Sequence, residues 1–128
     1  MRRVPVLVLV LALVSACSAA PKPGGLTIST DDVPRDGYPS ALISGVVRAN
    51  QGEGNACFWI ESEGVDWALL WPKGYTGQAN PLRVLNDAGE VVATDGAETS
   101  LAGGEAPTES QVKECPGIEQ HWLVAPQG

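Results

Sequence analysis

The residues able to do chemistry are few, and each set has a plainer structural reading. The sequence holds one histidine, His121, beside Trp122. A lone imidazole with no His or Cys at ligand spacing is more often a surface or core-edge residue than a metal ligand. Glu61/Glu63 and the adjacent Asp31-Asp32 are the carboxylate pairs available for general acid and base work of the glycosidase kind. Asp31-Asp32 reads more simply as solvated charge, and Glu61/Glu63 as the polar end of a strand before Gly64. Asp87, Glu90, Asp95 and Glu98 lie near two glycine-containing turns, but their spacing does not match the twelve-residue calcium loop, so scattered surface acid is the default. No Gly-x-Ser-x-Gly elbow surrounds any serine, and Ser44 reads as strand. The expectation is therefore a protein that is not an enzyme and uses no metal or cofactor.

The aromatic residues are more telling. Trp59, Trp67, Trp71, Tyr75 and Trp122 accompany a single Phe. Rings that stack on sugars or apolar ligands need exposure, whereas core rings need burial. Trp67 and Trp71 alternate with Val65 and Leu69 on one face of a run, which marks them as core. Trp59 falls opposite Phe58 and Ile60, and Tyr75 lies in the Pro72-Lys73-Gly74-Tyr75 loop. These two, with Trp122, are the candidate ligand-binding residues.

The elements that must position these rings have a period of two. Residues 41–49, 56–61 and 65–71 read as strands rich in β-branched and aromatic residues, and Pro72 ends the third. Residues 82–85 and 90–94 flank Asn86-Asp87-Ala88-Gly89, a hairpin turn. Residues 97–101 suggest a short strand closed by Ala102-Gly103-Gly104, residues 105–114 a polar loop with at most one short helix from Pro107, and residues 121–125 a last strand. Fifteen glycines and ten prolines weigh against long helices. Six or seven short strands in about 85 residues predict an all-β domain over 41–128, with a small, antiparallel, partly open β-barrel of the oligonucleotide/oligosaccharide-binding (OB-like) kind preferred to a sandwich.

The first sixteen residues do not belong to that domain. Met1-Arg2-Arg3 and an apolar run from Val4 to Val14 form the layout of a secretory signal peptide, and eleven residues are too few to span a bilayer. Val14-Ser15-Ala16-Cys17 resembles the lipobox of bacterial lipoproteins, in which the Cys thiol receives a diacylglycerol and the chain is cut just before it. The resemblance implies lipidation at Cys17 and attachment to the outer face of the cell membrane, since two acyl chains anchor stably where one does not. From there to Ser40 the chain is rich in Pro, Gly and small polar residues and reads as a flexible tether, reaching up to about 75 Å if fully extended. Within it, Leu26-Thr27-Ile28-Ser29-Thr30 alternates and is an alternative edge strand.

Export places Cys57 and Cys115 in an oxidising compartment. With Cys17 taken by lipid, the two remaining cysteines are expected to pair. No C-x-x-C motif suggests a redox role.

Eight Lys and Arg against fifteen Asp and Glu give a net charge of −7. Beyond residue 16 the six basic and fifteen acidic residues leave −9. That balance argues against nucleic acid as a partner, because phosphate binding rests on clustered Lys and Arg. Residues 54–60, 66–75 and 88–96, continuing to Ala102-Gly103-Gly104, are similar to a small-barrel module of secreted lipoproteins in high-GC Gram-positive bacteria. This resemblance implies a similar fold and export route and no particular chemistry. Three functions follow in order of expectation: a non-enzymatic, lipid-anchored module presenting a binding surface to an envelope component or partner protein; a module binding cell-wall glycan through Trp59, Tyr75 and Trp122; and, last, an envelope hydrolase resting on Glu61/Glu63 or His121.

Overall fold

A computed structural model of the chain describes residues 25–107 and 112–127. The expected signal peptide, the lipidation site Cys17 and the first part of the tether lie outside the described residues. So does most of the segment expected to begin a short helix.

The described residues form an all-β protein without helix. Its strands are β1 (Thr30–Asp31), β2 (Ala41–Gln51), β3 (Ala56–Ser62), β4 (Val65–Pro72), β5 (Thr76–Gln78), β6 (Arg83–Leu85), β7 (Val91–Thr94), β8 (Glu98–Glu105) and β9 (Gln120–Val124). Five of them form the barrel, in the order β4-β3-β2-β8-β9, with β9 pairing back onto β4. This is the Greek-key connectivity of an OB-like barrel.

Two details differ from expectation, and the second follows from the first. The barrel is closed rather than partly open, and the ladder that closes it, Trp67↔Gln120 to Leu70↔Leu123, is parallel. A ring with an odd number of strands cannot be antiparallel at every pair. Going round through the antiparallel pairs β4–β3, β3–β2, β2–β8 and β8–β9, strand direction reverses four times, so β9 meets β4 running the same way.

Alternation along each barrel strand decides what is enclosed. Phe58 and Ile60 of β3, Leu69 and Trp71 of β4, Val47 of β2, Leu101 of β8 and Val124 of β9 form the interior, all essentially fully buried. The meander β5-β6-β7 is inserted between β4 and β8 and adds Val84 and Ala93 to the same core. Phe58 meets Trp71 edge-on with ring centroids 6.5 Å apart.

A second, smaller core lies on the opposite face of β3, β4 and β9. Here Cys57, Ala68, Leu70 and Leu123 are covered by Val112 and Cys115, with Tyr38, Trp59, Ala106 and Ile118 packed around them. The Cys57–Cys115 disulfide fixes this cover to the barrel wall. Strand β4 is therefore buried on both faces over Ala68–Trp71, which is why its sequence there is apolar without interruption.

The tether expected over residues 17–40 is shorter in fact. Leu26 and Ile28 are core residues, and Ser29 and Asp31 are buried. The backbone of this segment is tied to the barrel: Leu26 N–H donates to Gly77 O at 2.8 Å, and Trp71 N–H to Ser29 O at 2.9 Å. β1 then pairs in parallel with the end of β4. The alternation of Leu26 to Thr30 thus belongs to a packed edge segment, which forms isolated bridges at Leu26 and Thr27 and becomes a strand only at Thr30–Asp31. Of the expected solvated pair, Asp32 is exposed but Asp31 is not, since its carboxylate holds the Arg35 guanidinium at 2.5 Å.

Glycine is required where strands nearly touch. A Cβ on Gly103 would sit 1.8 Å from Leu123 O, and one on Gly45 2.0 Å from Glu61 O. Residues 102–104, expected to close a strand, instead continue β8 as it crosses β9.

Candidate functional site

One concavity opens on the outer wall of β3, between the β2–β3 hairpin and the disulfide-held loop. The hairpin tip is set by Gly52 N–H donating to Asn55 O at 2.9 Å and by Gly54 at a φ of 72°, a conformation glycine adopts without cost. Thr27 braces it, donating to Gly54 O and accepting from Ala56 N–H. On the far side, Cys115 N–H donates to Val112 O at 3.1 Å and turns the loop toward the barrel. Ser29 Oγ holds Glu114 by donating to its carboxylate and accepting from its N–H.

Between these walls lies a cleft of about 440 Å³. Asn50, Asn55, Trp59, Asp66, Glu114 and Ile118 supply its working surface. Trp59 is half-buried, with part of its ring seated on the second core. The chemistry offered is three side-chain amides, of Asn50, Gln51 and Asn55, two carboxylates and one indole, with no Lys or Arg in the lining. Such a surface suits a neutral polyhydroxylated or a cationic ligand and repels an anionic one.

Of the three rings expected to bind ligand, only Trp59 lines this cleft. Tyr75 is buried, stacked on Trp71 at 6.1 Å, and its hydroxyl accepts from Gln127 N–H at 2.6 Å. Burial raises the Tyr75 phenol above its ordinary value, partly offset by that backbone hydrogen bond. Trp122 is also buried, meeting Trp67 edge-on at 5.9 Å. The expected exposed patch of Trp59 and Tyr75, and the grouping of both with Trp122 at one binding surface, are therefore not what the structure holds. A closed barrel takes alternate residues of β9 inward, Trp122 and Val124 among them, and the chain after Pro72 folds Tyr75 back over the barrel end.

The groups considered for catalysis are dispersed. His121 Nε2 is 2.9 Å from Ile118 O, on the backbone rather than on a carboxylate. Glu61 accepts from Arg48 Nε at 2.8 Å, which raises the arginine through that hydrogen bond and its charge. Both partners are about half exposed, so the pair contributes little to stability. Glu63 lies on the β3–β4 turn, away from the cleft. Asp87, Glu90, Asp95 and Glu98 form no three-ligand cluster, and none exists elsewhere among the described residues.

Asn50, Asn55, Asp66 and Glu114 were not singled out from sequence. One signal was available: Glu114 adjoins Cys115, so a bond to Cys57 must bring it beside the strand that carries Trp59. No protein-family model, curated protein or solved structure matches this chain.

Proposed function

We propose that this chain is a lipid-anchored, extracytoplasmic module of the cell envelope that binds a partner without catalysing a reaction. The observation that carries the reading is the Cys57–Cys115 bond, which pairs two of the three cysteines and leaves Cys17 alone in its lipobox sequence. A disulfide fits an oxidising compartment, and a signal peptide ending in a lipid-modified Cys explains the remaining thiol.

With Leu26 part of the fold, the eight residues 18–25 separate that lipid from the domain and reach at most about 27 Å. The domain is then held close to the membrane by the end that carries Leu26 and the β2–β3 hairpin. The binding surface is the Trp59 cleft, and neither a cofactor nor nucleic acid is involved. Cell-wall glycan is the second reading, favoured by one indole face beside amides and carboxylates.

Two measurements test this. Labelled palmitate must enter the wild-type protein and not Cys17→Ala; an unlabelled wild type, or label that survives the substitution, overturns the anchor. Titration with soluble cell-wall glycan must shift tryptophan emission in the wild type and not in Trp59→Phe if the second reading holds. An unchanged emission leaves a protein partner as the ligand of the cleft.

A further inference from the structure

A second concavity, at the opposite end of the barrel from Leu26, has a different character. It opens where β2 begins and β3 turns into β4, and its volume is about 460 Å³. Trp67 and Trp122 stand at 86° to one another with centroids 5.9 Å apart, and both line it. Two of the few large apolar side chains exposed among the described residues stand on its rim, Leu42 at 67% and Val65 at 39%. Neither is needed by the core.

Glu63 completes the lining. It occupies the first position of a two-residue turn between the paired residues Ser62 and Val65, where Glu63 has φ 52° and Gly64 φ 76°. These are the signs of a type I′ turn, whose first position favours Asn, Asp or Gly. A glutamate in the left-handed region costs free energy that asparagine would largely spare. Glu63 is exposed and puts an acidic residue on the rim of a tryptophan-lined cavity, and neither ion pair among the described residues involves it.

We infer that this mouth binds an aliphatic ammonium group. Indole faces attract cations through their quadrupole, most strongly where water is excluded. The Glu63 carboxylate supplies the counter-charge, Leu42 and Val65 pack the methylene or methyl carbons, and the acidic domain draws cations toward the site. A free quaternary ammonium compound and a lysine side chain of a protein partner share this chemistry.

The test uses the full-length chain in non-ionic detergent, carrying Trp59→Phe so that the cleft contributes no indole signal. Tryptophan emission is followed on adding choline, Nα-acetyl-lysine methylamide, or their neutral isosteres neohexyl alcohol and the Nα-acetyl methylamide of 2-aminoheptanoic acid. A saturable change with a cation and none with its isostere supports the site. Response to choline alone identifies a quaternary ammonium ligand, and response to the lysine derivative alone a lysine-bearing partner. Glu63→Asn, which suits the turn and is expected to raise the melting temperature, must weaken binding about tenfold. Equal responses to cation and isostere, no response at millimolar cation, or unchanged affinity in Glu63→Asn would each overturn the inference. None of these outcomes bears on the Trp59 cleft or on the anchor.

Discussion

The Cα atoms of Cys57 and Cys115 lie 5.0 Å apart although 58 positions separate them in the chain. The bond joins the wall of the barrel to the loop that covers it, so its loss acts on the second core before the first. In the chain-entropy account a loop of this length is worth about 4 kcal/mol. Urea unfolding of the Cys57→Ala/Cys115→Ala protein is expected to show a loss of about 3–4 kcal/mol. Hydrogen exchange should accelerate at Ala68 and Leu70 while Phe58 and Ile60 keep their protection; equal acceleration at all four would make the loop integral to the barrel.

Ile28 distinguishes a packed edge segment from a free tether. It is 5% exposed and belongs to the main core. Ile28→Ala is expected to cost about 2–4 kcal/mol in denaturant unfolding. Val33, five residues on and 55% exposed, serves as the control. Its change to Ala should stay within about 0.5 kcal/mol.

Gly103→Ala is expected to be among the most damaging single changes. The added methyl would collide with Leu123 O at a backbone φ of 148°, so β8 or β9 must give way. A loss of more than about 3 kcal/mol follows. Gly37 has nothing within 4 Å of the same position, and Gly37→Ala should leave the thermal midpoint unchanged or slightly higher. Melting curves of the two variants measure the contrast.

Tyr75 sets an alkaline limit. Burial raises its phenol above the ordinary value of 10.0, so the folded state holds the proton more tightly than the unfolded chain does. That contribution is complete below the unfolded value and is lost as pH rises through the folded one. Urea midpoints of the wild type should fall steeply above about pH 10, and those of Tyr75→Phe less steeply. Parallel curves for the two proteins would remove Tyr75 as the cause.

The strands were legible because alternation is local. Trp67, Leu69 and Trp71 declare one face of β4 without reference to any other residue. What lies on the other face is not local: Ala68 and Leu70 are buried by Val112 and Cys115, which arrive from far along the chain. For the same reason Tyr75 was expected at the surface and Trp122 among the ligand-binding rings, since what becomes the inside depends on how the sheet closes. The parallel pairing of β4 with β1 and β9 leaves no turn signature, unlike the hairpin around Asn86. The cleft was legible only at Trp59; its amides and carboxylates converge through the disulfide and through Ser29, contacts between distant parts of the sequence.

Leu26 bonds to Gly77 at one end of the described chain, and Gln127 bonds to Tyr75 at the other. Tyr75 and Gly77 are near neighbours on a single loop and strand, so the two ends of the fold meet. A short glycine linker can therefore join Gln127 to Leu26 and let the chain be reopened elsewhere, at Gly89 for example, where nothing crowds the turn. Such a circular permutant keeps every ladder of the barrel. By the same geometry, a reporter fused after Gln127 emerges beside Leu26 and leaves the mouth around Trp67 facing away from it.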